Sequence, residues 1–276
     1  MRIIDAHCHF WRLSRGDYGW LEGEGGALAP IRRDFLPADY PANDARLIAV
    51  QAAPTLAETE FLLSLAESDP RIAGVVGWVD LADPAAAATL HALAARPAFK
   101  GVRPMLQDIA DTGWLLTAPR PDALSALRTL GLRFDALVTE RHLPGLLQFA
   151  RREDSLPLVV DHAAKPQPGD RTGWEQGLRA LAALPHVHCK LSGLLTEFSP
   201  AMMEDPRAGL RDIFSRLLDW FGPARLIWGS DWPVLTLVAG YEEWRALSAQ
   251  LIGALSPDEQ TAIMAGNAAR FYGVSP

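Results

Sequence analysis

Short apolar runs rich in β-branched residues alternate along the chain with longer stretches whose apolar positions recur every three to four residues. The short runs predict strands at Arg2 to His7, Arg46 to Gln51, Ile72 to Val79, Phe99 to Arg103, Leu132 to Val138, Leu158 to Asp161, Val187 to Leu191 and Arg225 to Trp228. The longer stretches predict helices at Leu56 to Glu67, Ala85 to Ala95, Asp122 to Leu130, Leu143 to Arg152, Trp174 to Leu184, Ala208 to Trp220 and Glu242 to Ile252, with a last one from about Pro257 to Ala269. Pro84 and Pro257 stand near helix starts, where the missing N–H costs nothing. Eight strands with helices between them predict an α/β fold of the (β/α)8 TIM barrel type, although an open sheet of six to eight strands shares the pattern. The pattern shows no internal repeat, low-complexity segment or linker, so residues 1–276 read as a single domain.

One connection breaks the rhythm. About 35 residues separate the first two strands, on a loop scale where most connections run to about six. The segment contains Gly16-Asp17-Tyr18-Gly19-Trp20 and the glycine-rich run from Glu22 to Gly26, which reads as flexible. In a barrel it would cover the C-terminal face, where active sites lie. A covering loop without substrate contact is the plainer reading.

Composition narrows the class. The 276 residues carry 26 Lys+Arg and 33 Asp+Glu, a net charge of −7, which argues against a nucleic-acid-binding surface. The two cysteines, Cys8 and Cys189, cannot make a disulfide framework and fit a reducing compartment. No apolar run approaches 18 residues, so no membrane span is expected, and the chain enters a strand at once without room for a signal peptide. Together these features predict a cytoplasmic protein. Nine tryptophans and 21 prolines remain to be placed, and each buried indole N–H needs a partner.

Candidate chemistry gathers at strand ends. The first strand ends in Asp5-Ala6-His7-Cys8-His9-Phe10-Trp11, and residues two apart on a strand share a face, so His7 and His9 project together while Cys8 packs away from them. Two imidazoles on one face can bind a metal or polarise a carbonyl. His186-Val187-His188 has the same spacing but leads into a strand, which places it at the opposite end of a barrel as a surface or structural pair. Other strands end in Lys100-Gly101-Val102-Arg103, in Asp161-His162-Ala163-Ala164-Lys165, in Lys190-Leu191-Ser192-Gly193 and in Trp228-Gly229-Ser230-Asp231-Trp232. Polar residues at several C-terminal strand ends of a barrel read as catalytic. Each also fits a plainer role: Asp231 a cap, His162 a satisfied core histidine, Arg103 a structural ion pair. Lys190 lies early in its strand and reads as structural.

As a set, these motifs, together with Asp17-Tyr18-Gly19-Trp20-Leu21 and the terminal run from Asn267 to Gly273, resemble the amidohydrolase-2 branch of the amidohydrolase superfamily across almost the whole chain. Within it the chain most resembles the L-fucono- and L-rhamnono-lactonases and the pyrone-dicarboxylate lactonases. The resemblance implies a distorted barrel, hydrolysis of a small-molecule lactone, and a site lined by His7, His9, His162 and Asp231. Two-metal members add a carboxylated lysine on strand 4 and a histidine on strand 5. Here strand 4 ends in Arg103 and strand 5 has no histidine, His142 falling in the next helix, so a two-metal site is not expected. One divalent, zinc-like ion held by His7, His9, His162 and Asp231, or none, are both compatible.

Lactone opening needs an activated water, a stabilised oxyanion and a proton for the leaving alkoxide. Asp231 is the candidate general base. His7, His9 and His162 would hold the ion or donate to the carbonyl oxygen, and Arg103 would hold the carbonyl or a ring hydroxyl. Trp11, Tyr18, Trp20, Trp114, Lys165 and Trp232 are candidate substrate-binding residues at the barrel mouth, with two or three of the aromatics expected to touch a sugar ring. A metal-dependent decarboxylase of the same superfamily and a catalytically silent sugar-acid or metal-binding barrel are the competing readings.

Overall fold

The structure, a computed structural model, describes residues 3–22 and 26–275. Its strands are β1 (Ile3–Cys8), β2 (Ala45–Val50), β3 (Ile72–Gly77), β4 (Phe99–Val102), β5 (Arg133–Ala136), β6 (Leu158–Val160), β7 (Val187–Leu191) and β8 (Leu226–Trp228). They pair in parallel in sequence order. The sheet curls until β1 meets the chain just past β8. There Asp231 N–H donates to His7 O, and His9 N–H donates to Trp232 O, both at 2.7 Å. The fold is therefore a (β/α)8 barrel rather than an open sheet, and its seam is closed by the residues expected to carry chemistry.

The seam is tight because its residues are small or complementary. A Cβ on Gly229 would lie 2.7 Å from the His7 Cβ, so only glycine lets the two segments approach. Below it, Asp5 accepts from Ser230 N–H at 2.8 Å, from Ser230 Oγ at 2.5 Å and from Tyr40 OH at 2.6 Å. Burial pushes the Asp5 carboxyl up, and these donors oppose that shift. β1 carries an irregularity between Asp5 and Cys8. Ile4 and Ala6 pack with Ile48, Val50 and Ile227 in the barrel interior, whereas Cys8 packs with the outer core. The bulge thus shifts the alternation and sends His7 and His9, not Cys8, toward the site.

The surrounding helices are α1 (Leu56–Ser68), α2 (Ala86–Ala94), α3 (Trp114–Thr117), α4 (Pro121–Thr129), α5 (Leu143–Arg152), α6 (Thr172–Ala182), α7 (Pro200–Glu204), α8 (Pro206–Phe221) and α9 (Tyr241–Ile252). The predicted last helix is three pieces: α10 (Pro257–Thr261), a π-helical turn at Ala262–Gly266, and α11 (Asn267–Tyr272). Asn267 Nδ2 donates to Pro223 O and Leu226 O at the start of β8. Phe271 and Tyr272 join the interior apolar cluster, so this segment plugs the N-terminal end of the barrel. Among the described residues no helix is long and apolar enough to cross a membrane.

The long β1–β2 connection is ordered by short 3₁₀ turns at Leu13–Arg15, Gly19–Leu21, Ala29–Ile31 and Pro37–Asp39. Gly23, Glu24 and Gly25, the centre of the expected flexible run, lie outside the described residues, as does Arg2. Trp11 and Phe35 exchange backbone hydrogen bonds across the connection, at 2.9 and 3.0 Å. Trp11 meets Trp20, Tyr18 and Phe35 ring to ring, so the loop has a small aromatic core of its own.

Candidate active site

Asp231 stands at the centre of the strand ends. Its Oδ1 lies 3.2 Å from His9 Nε2, 3.7 Å from His7 Nε2 and 3.8 Å from His162 Nε2. Oδ1 takes all three imidazole contacts, which leaves the lone pairs of Oδ2 free of them. Burial alone would raise this carboxyl, but His162, His9 and His7 more than offset it and hold Asp231 well below the usual carboxylate range. Burial, reinforced by Lys190, pushes His7 far below the ordinary imidazole value, and burial pushes His162 down too.

Two backbone features aim these side chains. Asp231 sits at φ +62°, and the four residues from His162 to Lys165 all have φ between +48° and +58°, one turn of left-handed helix built without glycine. Such a conformation costs about 1–2 kcal/mol per residue, so the surroundings must impose it. Trp174 Nε1–H donates to Ala163 O in the middle of the turn at 2.7 Å, and Lys165 N–H closes it onto His162 O. Ser192 Oγ lies 3.0 Å from His162 Nδ1. Gly193, at φ +57°, leaves the room: a Cβ there would fall 2.4 Å from His162 Nδ1 and 3.0 Å from Asp231 Oδ2.

His9 Nδ1 lies 2.8 Å from Val50 O. A carbonyl only accepts, so Nδ1 carries the ring proton and Nε2 presents a lone pair to the Asp231 carboxylate. Two acceptors 3.2 Å apart require a proton or a cation between them. Together with His7 and His162, whose ligand atoms and that of Asp231 lie within 4.8 Å of one another, this donor set of imidazole nitrogens and one carboxylate oxygen fits a zinc-like ion.

Arg103 is buried beside His7. One guanidinium nitrogen donates to Gln51 O, while Nη1 lies 3.3 Å from His7 Nε2 and 3.7 Å from Asp161 Oδ2. Gln51 Nε2 in turn donates to Arg103 O at 2.7 Å. Lys190, read from the sequence as structural, lies in a buried layer beneath the site. Its Nζ is fully buried, 2.5 Å from Asp135 Oδ2, 3.1 Å from Asp161 Oδ1 and 3.0 Å from His7 Nδ1. Asp135 was not foreseen; the signal was a charged residue between Phe134 and Ala136 on a buried strand, matched by a lysine between Cys189 and Leu191.

A cavity of about 200 Å³ opens above this cluster. His9, Arg103, His162, Lys165 and Asp231 supply its polar wall, together with Gln107 and Asp108; Trp20, Met105, Leu137 and Val234 supply its apolar wall. Lys165 also pairs with Glu197 at 3.4 Å. The expected aromatic wall is thinner than the sequence suggests. Trp20 lines the cavity, its indole N–H held by Ala52 O at 2.7 Å. Trp11 and Tyr18 are buried in the loop's own core, and Trp232 packs against Phe10, Phe35 and Tyr40 behind the seam. Trp114 opens α3 and lines a separate small cavity with Leu146. Position at a loop did not reveal direction, because these rings had one another to pack against.

A family model described as amidohydrolase matches residues 4–274. The chain belongs to the amidohydrolase family. It is 43% identical to an L-fucono-1,5-lactonase of Burkholderia ambifaria, over 98% of this chain and 94% of that one. A second L-fucono-1,5-lactonase, from Burkholderia multivorans, is 42% identical over 98% of this chain and 95% of its own. Among solved structures, an amidohydrolase from Burkholderia multivorans with bound zinc superposes with a TM-score of 0.86 at 38% identity, covering both chains in full.

Proposed function

We propose that this amidohydrolase opens a sugar lactone of the L-fucono-1,5-lactone type, adding water across the ring ester to give the open hydroxy acid. The observation that carries the reading is the carboxylate of Asp231, ringed by three imidazoles on the floor of a cavity of about 200 Å³. The relatives at 42–43% identity, named for this activity, support it.

In the proposed reaction a water poised beside Asp231 Oδ2 attacks the lactone carbonyl carbon, and its proton passes to the carboxylate. The carbonyl oxygen gains the negative charge and meets N–H donors from His162 and Arg103, held in place before the substrate arrives. The tetrahedral intermediate collapses, the bond to the ring oxygen breaks, and the alkoxide takes the proton from Asp231. When a divalent ion is bound, His7, His9, His162 and Asp231 would hold it, and it would supply Lewis-acid polarisation of the carbonyl.

Trp20 offers its face to the C–H side of the sugar ring, while Lys165 stands where ring hydroxyls would be read. The lactone is a small uncharged partner, in keeping with a cavity whose cations are already matched by Asp161 and Glu197. A panel of sugar 1,4- and 1,5-lactones, followed by acid release with a pH indicator before and after chelation, tests the reading. Acid release from a 1,5-lactone is the expected result; silence across the panel in metal-loaded and chelated enzyme alike would overturn it.

A further inference from the structure

Each lysine, arginine and carboxylate on the wall of the cavity is matched, with one exception. Arg103 faces Asp161 and donates to Gln51 O, Lys165 pairs with Glu197 at 3.4 Å, and Asp231 is ringed by the three histidines. Asp108 lines the same cavity, and among the described residues its carboxylate has neither an ion-pair partner nor a side-chain hydrogen bond. We propose that Asp108 determines specificity: it accepts a hydrogen bond from a ring hydroxyl of a neutral sugar lactone and turns away rings that carry a carboxylate. That the ring is a lactone rests on the proposed function; that it is neutral and hydroxylated rests on the charges and acceptors of the wall.

Asp108 is presented by a clamped turn. After β4 the chain makes a 3₁₀ turn at Leu106–Asp108, with Leu106 buried and anchoring it. Arg141, in the turn that follows β5, donates to Gln107 O and Ile109 O, both at 3.0 Å, and to Ala110 O at 3.2 Å. One guanidinium thus spans three carbonyls and fixes the backbone on both sides of Asp108. Gln107 is half-buried and Asp108 exposed, so the carboxylate borders both the cavity and the solvent. An acceptor fixed in advance has little ordering left to lose when a ring binds.

The need for such an acceptor comes from the hydroxyls themselves, which each donate as well as accept. Arg103 and Lys165 can only donate. Asp231 Oδ1 faces the imidazoles, and Ala52 O already holds the Trp20 indole. Asp108, with Gln107 beside it, is left to take hydroxyl protons, and a charged acceptor makes the stronger bond. The same charge works against an anion. A second carboxylate inside a cavity of about 200 Å³ would stand close to Asp108 and find no unmatched lysine or arginine to receive it.

The test compares two closed rings, L-fucono-1,5-lactam and the galactaric acid 1,5-lactam of matching ring configuration. They differ only in a methyl group against a carboxylate at C5, and their ring amides stay closed, so calorimetric titration reads binding without turnover. Wild type is expected to bind the neutral ring at least about tenfold more tightly, a preference that narrows as salt screens the exposed charge. Asp108→Asn keeps the shape and removes the charge. In it the neutral ring should bind about fivefold more weakly, the difference between a charged and a neutral acceptor, and the carboxylated ring about tenfold more tightly. A merely structural role would move both rings the same way. Shifts in the same direction, an unchanged preference in the variant, or no binding of the neutral ring to wild type would each overturn the proposal. Turnover is read separately on the two matching lactones: if the lactams bind as expected while the lactones stay closed, the proposed function fails and the role of Asp108 stands.

Discussion

The chain carries the pair His-x-His twice, and the two pairs have opposite fates. His7 and His9 end β1, inside the barrel mouth, within 4 Å of the Asp231 carboxylate. His186 and His188 enter β7 at the other end, where His188 packs on Phe271 and has Arg225 and Arg270 for charged neighbours. Both pairs are desolvated to some degree, but the first has Asp161, Asp231 and Lys190 within 4 Å, whereas the carboxylate acting on the second is Asp154, beside His186. Spacing places two rings on one face; which end of the strand they occupy decides whether other strand ends can bring them partners. In a parallel barrel the C-terminal ends of all eight strands converge on one mouth, and that convergence, not the motif, creates the site.

The largest expected effect that would break this contrast is at Asp231. Asp231→Asn should lower kcat by about 10³-fold or more, within the range assigned to positioned acid–base groups and water activation, with an unchanged thermal midpoint. Comparable turnover in the variant would show the first pair to be no more catalytic than the second. Next comes Gly193→Ala, whose methyl would press on His162 and Asp231 at a left-handed φ. A loss of about 10²-fold in kcat with a folded protein is expected from displacement on this scale, and full activity would mean that the two side chains need not be held so close. Trp20→Ala should act on KM more than on kcat, raising it by about tenfold, since Trp20 touches the cavity wall and not the reacting groups.

The pairs should also separate by pH. Burial holds His7 and His162 below the ordinary imidazole value of 6.5, so the acid limb of kcat/KM should fall below pH 6.5. His188 is lowered, chiefly by burial, to about 4. The unfolded chain therefore binds a proton at this position between pH 6.5 and 4 that the folded chain does not, and stability falls as pH falls through that window. His188→Gln should flatten this decline in the melting temperature between pH 7 and 4.5 while leaving turnover intact, the smallest effect of the series. A loss of activity in His188→Gln would erase the distinction between the two ends.

Much of this was legible before the fold was known. Eight strands, their order and the three histidines around Asp231 follow from alternation, helical periodicity and position at strand ends. Their ends were less exact: β5 keeps only Arg133–Ala136 of the predicted Leu132 to Val138, because the flanking residues leave the ladder to make the turns. The parity of β1 was read correctly for His7 and His9 only because a bulge restores it. The contact of Lys190 with His7 was not legible because sequence position does not say how far a long side chain reaches, and the left-handed turn at His162 to Lys165 has no glycine to announce it. The tryptophans divide in the same way. Trp174 and Trp244 look like helix packing, yet their indoles hold Ala163 O and Gly229 O, bracing the two segments that carry His162 and Asp231. That service depends on tertiary contact, which no local pattern encodes.

The most direct test of the central claim is acid release from L-fucono-1,5-lactone by wild type, Asp231→Asn and His188→Gln measured side by side. Rapid ring opening by wild type and His188→Gln, with Asp231→Asn reduced to the uncatalysed rate, is the expected result. Equal rates in wild type and Asp231→Asn would contradict it.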